Sequence, residues 1–169
     1  MRRPTAATIG APIFRPVDAQ YDFGHLLSLA HQIFITDLRH HLEQKGYGDL
    51  GLSHGYVLRM LVSAPATVGE LARTLDITPQ GASLIARQMA RNGYITITPD
   101  ARDGRARVLA LADRGRAVVA EAHRFHQGFE RQWARALGAD DVATVRRVLT
   151  ELVQEHPRGA VIARWARPA

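Results

Sequence analysis

The run from Pro99 to Leu111, PDARDGRARVLAL, sets Arg102, Arg105 and Arg107 against Asp100 and Asp103 around Gly104, then alternates into Leu109 and Leu111. Upstream, Thr78, Pro79, Gln80, Gly81, Ala82 and Ser83 lead toward Arg87. Neither group is built to make or break covalent bonds. The chain pairs no nucleophile with a base, and it carries neither a phosphate-cradling glycine loop nor a convincing metal-ligand set. Such side chains recognise by hydrogen bonding. An arginine fork pairs with phosphate or enters the negative potential of a narrow minor groove. Gln80, Ser83 and Arg87 on a helix can bond to base edges or phosphates, and Gly81 and Ala82 are small enough to allow a duplex close approach. Taken alone, Pro99–Leu111 also suits a solvated hairpin tip.

The totals favour recognition of an anion. Net charge is +6, and Lys45 is the sole lysine, so nearly all the positive charge is arginine. Between Thr78 and Arg116 seven arginines face three aspartates, which places four of the six net charges on one stretch. Nucleic acid is the expected partner, ahead of membrane lipid; the bland alternative is an arginine-rich surface with no partner. At 169 residues, 46% of them hydrophobic and 22% charged, the chain fits one globular unit. The absence of cysteine excludes disulfides, thiolate metal sites and thiol redox sensing. Arg2 and Arg3 are followed by Pro4 rather than an apolar segment, and no apolar run approaches membrane-spanning length, so a cytoplasmic protein with no membrane partner is expected. His123 and His126, three apart, could share a metal but lack a third ligand. No cofactor and no metal are expected.

The elements that must position these residues follow from periodicity and caps. Residues 1–20 hold Pro4, Pro12 and Pro16 and read as an arm. Apolar steps of three and four from Phe23 to Leu42 predict a long helix ending near Gly46. Ser53 is the expected cap of a second helix that stops before Pro65. Thr67 with Glu70 forms a capping box for a third. Thr78 and Pro79 open a fourth that carries Leu84, Ile85 and Met89 inward and stops at Asn92-Gly93. Strands at Tyr94–Thr98 and Ala106–Leu111 make a two-stranded hairpin with the charged run at its tip. A fifth helix carries Val118, Ala122, Phe125, Phe129, Trp133 and Leu137 to Gly138, and a sixth begins at Asp140-Asp141 and ends before Pro157. The tail keeps Val161, Ile162 and Trp165.

Two helices joined by a short turn and followed by a hairpin make a winged helix-turn-helix, whose second helix enters the major groove. Residues 21–155 resemble the MarR family of transcriptional regulators, most specifically at Asp100-x-Arg102-Asp103-x-Arg105 and at the Leu109-x-Leu111 exit to Gly115. The resemblance implies that Arg105 enters the minor groove while Arg102 and Asp103 orient the tip. It also implies that Thr78, Gln80, Ser83 and Arg87 contact bases and phosphates, with Arg107 in the same basic stretch. Two positions depart from the family pattern. Ile97 stands where arginine is frequent, and Ala112 replaces a capping threonine, which shifts the expected cap to Asp113.

The expected fold is mainly α, a winged helix-turn-helix with a two-stranded β wing and long terminal helices forming a dimerisation region. Its parts are an arm (1–20), a dimerisation helix (21–50), the DNA-binding lobe (51–112), C-terminal dimerisation helices (113–157) and a tail (158–169). Three amphipathic helices cannot all bury their stripes on so small a lobe, so interdigitation with a second copy is expected. Phe125, Phe129 and Trp133 would serve interface and core alike. The expected function is a homodimeric repressor on a pseudo-palindromic duplex site. The family also implies modulation by a small molecule between dimer helices and lobe, for which His41, His54 and Tyr56 are the candidates, with His40 nearby. The alternative is a winged-helix protein-interaction module.

Overall fold

The computed structural model describes residues 21–51, 53–100 and 106–157. The arm, the tail and the wing-tip residues Arg102, Asp103 and Arg105 lie outside the described residues. The chain divides into two compact units, Met1–Asp37 and Leu38–Ala169. The first contains the start of α1 (Phe23–Gln44), where Asp22 Oδ1 accepts from the His25 amide at 2.8 Å. Phe23, Leu26, Leu27, Leu29 and Ile33 are exposed along it.

In the second unit α1 ends as its glycine predicts. Gly46 adopts φ +86°, and the Gly46 and Tyr47 amides donate to the Glu43 and Leu42 carbonyls, each at 2.9 Å. That is the left-handed stop that satisfies otherwise orphaned carbonyls. Helix α2 (His54–Ser63) departs from expectation. Ser53 makes no side-chain cap bond because its backbone is already helical (φ −78°, ψ −17°) rather than extended. The Gly51 amide instead donates to His54 Nδ1 at 2.9 Å.

Thr67 and Glu70 form the predicted capping box of α3 (Val68–Leu75), with the Glu70 amide 3.1 Å from Thr67 Oγ1 and the Thr67 amide 2.7 Å from the Glu70 carboxylate. The backbone bond from Thr67 holds that carboxyl below its ordinary range. Asp76 turns the chain through a left-handed residue, φ +52°. Thr78 then caps α4 (Pro79–Arg91) by accepting from the Gly81 amide at 3.1 Å. At the far end Gly93, φ +75°, completes another left-handed stop, with Gly93 donating to Ala90 and Tyr94 to Met89.

Strands β2 (Ile95–Pro99) and β3 (Arg107–Leu111) pair antiparallel, Ile95 opposite Leu111 and Ile97 opposite Leu109. The wing has three strands rather than two. β1 (Ala66–Thr67) pairs with the other edge of β3, giving the order β1-β3-β2. Two residues are too few to show alternation in a sequence.

Asp113 is the first residue of α5 (Asp113–Leu137) and not its cap; Ala112 holds the cap position without a side-chain bond, and Asp113 Oδ1 pairs with Arg116 at 2.5 Å. Gly115 lies against the sheet so closely that a β-carbon there would sit 2.1 Å from the Tyr94 carbonyl oxygen. Only glycine fits. Gly138, φ +110°, ends α5 and leads into α6 (Ala139–Glu155), which buries no residue. The core joins α2, α3, α4, the sheet and the start of α5 through the fully buried Val57, Leu71, Met89, Tyr94, Leu109 and Val118. Among the described residues, no helix is long and apolar enough to cross a membrane.

Candidate nucleic-acid interface

Helix α4 has two distinct faces. Ala82, Ala86 and Met89 are buried, so Ala82 serves packing rather than approach to a ligand. Gln80, Leu84, Arg87, Gln88 and Arg91 are exposed. At about 100° per residue, these five fall within one sector about 100° wide. Leu84 is therefore not a core residue as its apolar character suggested. It lies on the side of the helix opposite the Ala82–Ala86 seam and is 57% exposed. Ser83 is partly buried at the edge of the open face, and Gly81 is partly buried on the other flank. Thr78 is exposed, but its oxygen already accepts from Gly81, which leaves its hydroxyl hydrogen to donate. The α4 N-terminus adds a partial positive charge favourable to phosphate.

The wing strand supplies Arg107, exposed and opposite Pro99. The Asp100 amide donates to the Ala106 carbonyl at 3.1 Å, closing the hairpin just below the tip. Gln80, Ser83 and Arg87 thus share one helix with Thr78 as its cap, and Arg107 stands on the hairpin that follows.

Two of the seven clustered arginines work inside the chain. Arg114 Nη1 donates to the Asn92 carbonyl at 2.6 Å, at the end of α4, and Nη2 donates to Asp49 Oδ1 at 3.0 Å and to the Gly46 carbonyl at 3.1 Å. Its guanidinium also lies 4.4 Å from the Tyr94 ring centre. Tyr94 donates its hydroxyl to the same Asp49 oxygen at 2.5 Å. Burial raises the Asp49 carboxyl, but the bonds from Tyr94 and Arg114 outweigh it and hold the group below its ordinary value. Burial, then the bond to Asp49, pushes the Tyr94 phenol up. Arg116 donates to the Leu111 carbonyl and to Asp113, both at 2.5 Å. Arg114 ties the exit of α4 to the loop after α1, a join between residues 65 positions apart that spacing could not show.

The three expected effector contacts differ in their surroundings. His41 Nε2 is 2.6 Å from Glu121 Oε1, and its ring packs on Phe125. Arg124, then His41, keeps the Glu121 carboxyl below its ordinary range. His54 is 2% exposed, and burial lowers its pKa against a smaller opposing pull from Asp49. Tyr56, two residues on, faces outward at 51% exposed. Gln44 and His40 bond to each other at 2.8 Å. His123 bonds to Gln127, and no group of three metal-capable side chains occurs among the described residues.

Residues 49–106 match the family model described as the MarR family. The transcriptional activatory protein BadR of Rhodopseudomonas palustris is 34% identical over 64 residues, 38% of this chain and 37% of BadR. The exopolysaccharide II synthesis transcriptional activator ExpG of Rhizobium meliloti is 27% identical over 111 residues, 66% of this chain and 57% of ExpG. The chain thus spans less than two thirds of either relative. Among solved structures, a mutant of S. aureus MepR bound to an oligodeoxyribonucleotide superposes with a TM-score of 0.60 at 20% identity, covering 80% of this chain and 98% of that one. At that identity the likeness is one of fold. The family match spans α2 to the wing, the elements that present the open face of α4, and over residues 49–106 the chain is similar to the MarR family.

Proposed function

We propose that the chain is a non-enzymatic, DNA-binding transcriptional regulator that acts as a homodimer, with α4 in the major groove and the β2–β3 hairpin beside it. The observation that carries this reading is the open face of α4. Gln80, Arg87, Gln88 and Arg91 point away from a fully packed seam, and Arg107 is exposed on the hairpin that follows. In this reading Thr78 and Ser83 bond to phosphate or base edges, Arg105 enters the minor groove, and Arg102 and Asp103 orient it. The activator names of BadR and ExpG and the nucleic acid bound to MepR support the class.

The second copy is supported by α6, where Val145, Val148, Leu149 and Leu152 are exposed. Two-fold symmetry would set two recognition helices about 34 Å apart and call for a pseudo-palindromic operator. We propose repression as the sign, since a dimer seated over a promoter excludes polymerase by occupancy. Because both named relatives are activators, a promoter fusion with and without the gene is the measurement that decides it. A small-molecule effector belongs to the same proposal, with Tyr56 and His41 as the accessible candidates and His54 as a buried one.

Leu84 favours a second reading, because a largely exposed leucine also suits a protein-binding face. Salt separates the two. Anisotropy titrations with duplex from upstream of its own gene should weaken steeply as salt rises, and Arg105→Ala or Arg107→Ala should each reduce the log–log slope by about 1. Unchanged affinity and slope in both variants would remove the wing from the interface. Absence of salt-sensitive duplex binding, together with a stable protein partner, would replace the regulator by an interaction module.

A further inference from the structure

The open face of α4 is polar and basic except at its centre. Leu84 stands one helical turn from both Gln80 and Gln88 and next to Arg87 on the same face. Beside it lies a shallow hollow shared with Ile77, which is 37% exposed, and with Gly81. A β-carbon at Gly81 would sit 3.8 Å from Ile77 Cδ1 and 3.3 Å from Thr78 Oγ1, so glycine keeps that hollow open. Apolar surface gains free energy only when another apolar group covers it. The covering group must also suit flanking amide donors and acceptors and two arginines.

Duplex DNA offers that combination in one place. The major groove is lined with hydrogen-bonding base edges and phosphates, and its one apolar projection is the thymine C5-methyl group. Residues in the first turns of a recognition helix are those that reach base edges, and Leu84 lies in the second turn of α4. Resting on the DNA-binding reading above, we infer that Leu84 is a specificity-determining residue that packs against a thymine methyl in the major groove. Ile77 and the open flank at Gly81 receive the methyl, while Gln80 and Arg87 fix the register by bonding to either side. The surrounding positive charge favours a polyanion over an apolar protein surface as the occupant.

The test starts from a duplex enriched by the full chain from a random pool. Each thymidine of one half-site is replaced singly by deoxyuridine, which removes the methyl and leaves every base-pairing group. At one position the Kd of the unaltered protein should rise about fourfold, the size expected for one methyl group returned to water. Leu84→Ala should bind the parent duplex more weakly and show no further loss at that position. Because Leu84 is exposed, folding of the variant is checked simply by its melting temperature. Indifference of the unaltered protein to every single replacement would overturn the inference, as would an unchanged penalty in Leu84→Ala. Salt-sensitive duplex binding with no methyl dependence would leave the regulator reading standing and sink this one alone. Failure to enrich any duplex would sink both.

Discussion

Helix α4 closes Ala82, Ala86 and Met89 into its own chain and turns Gln80, Arg87, Gln88 and Arg91 outward, whereas α6 buries nothing and leaves Val145, Val148, Leu149 and Leu152 exposed. Both helices are amphipathic, yet each offers solvent the opposite face. In α4 the apolar stripe is satisfied within one chain, so the surface on offer is polar and basic, suited to a polyanion. In α6 the apolar stripe is the surface on offer, suited to a second copy. On the proposed reading, recognition and assembly fall to different helices of the second unit.

The largest effect should come where α5 meets the strand leaving α4. Gly115→Ala places a β-carbon inside the Tyr94 carbonyl contact and should cost about 4 kcal/mol or more, read as a fall in the urea midpoint. A near-neutral result would show that the lobe is not locked at that join. Next in size, Val148→Asp combined with Leu152→Asp should convert a dimer to a monomer in sedimentation equilibrium, at a cost of roughly 3 kcal/mol or more of association. Helix content should hold. Loss of helicity at every concentration would instead mean that α6 completes its own chain's core.

A smaller difference separates two arginines. Arg87→Ala should weaken operator binding by about 1–3 kcal/mol while leaving the melting temperature in place. Arg114→Ala should do the reverse, lowering stability by about 1 kcal/mol without changing the salt slope, because its ion pair with Asp49 is more than a third exposed and partly screened. Equal effects of the two on the salt slope would contradict the division between outward and inward arginines.

The smallest effect is in pH. Burial holds His54 below the ordinary histidine value of 6.5, so the unfolded chain takes up the proton first. Its contribution to stability is present above that value and is lost as pH falls through it toward the lower folded pKa. Urea titrations between pH 7 and 5 should show that slope, and His54→Gln should flatten it. His126, lowered mainly by burial, contributes in the same direction, so a residual slope is expected.

What the sequence disclosed was local. The box at Thr67, the Thr78-Pro79 start and the stops at Gly46 and Gly93 each involve residues within a few positions, and they bracket the helix-turn-helix correctly. Side-chain direction was harder to read. Leu84 and Ile85 are adjacent apolar residues, and only packing decides which of them faces inward. The strand at Ala66 has too few residues to alternate, and the residue type of Ser53 does not disclose that its backbone is already helical. The Asp49–Tyr94–Arg114 cluster joins three distant segments, so Arg114 looked like one more DNA-facing charge. Nor does sequence show that Glu121 engages His41 while the core encloses His54.

Selection of bound sequences from a random duplex pool tests the central claim most directly. The account predicts enrichment of a pseudo-palindrome whose half-sites are centred about one DNA turn apart, roughly 34 Å, with enrichment collapsing in Arg87→Ala. Recovery of no sequence, or of a lone half-site bound equally well by monomeric and dimeric protein, would contradict it.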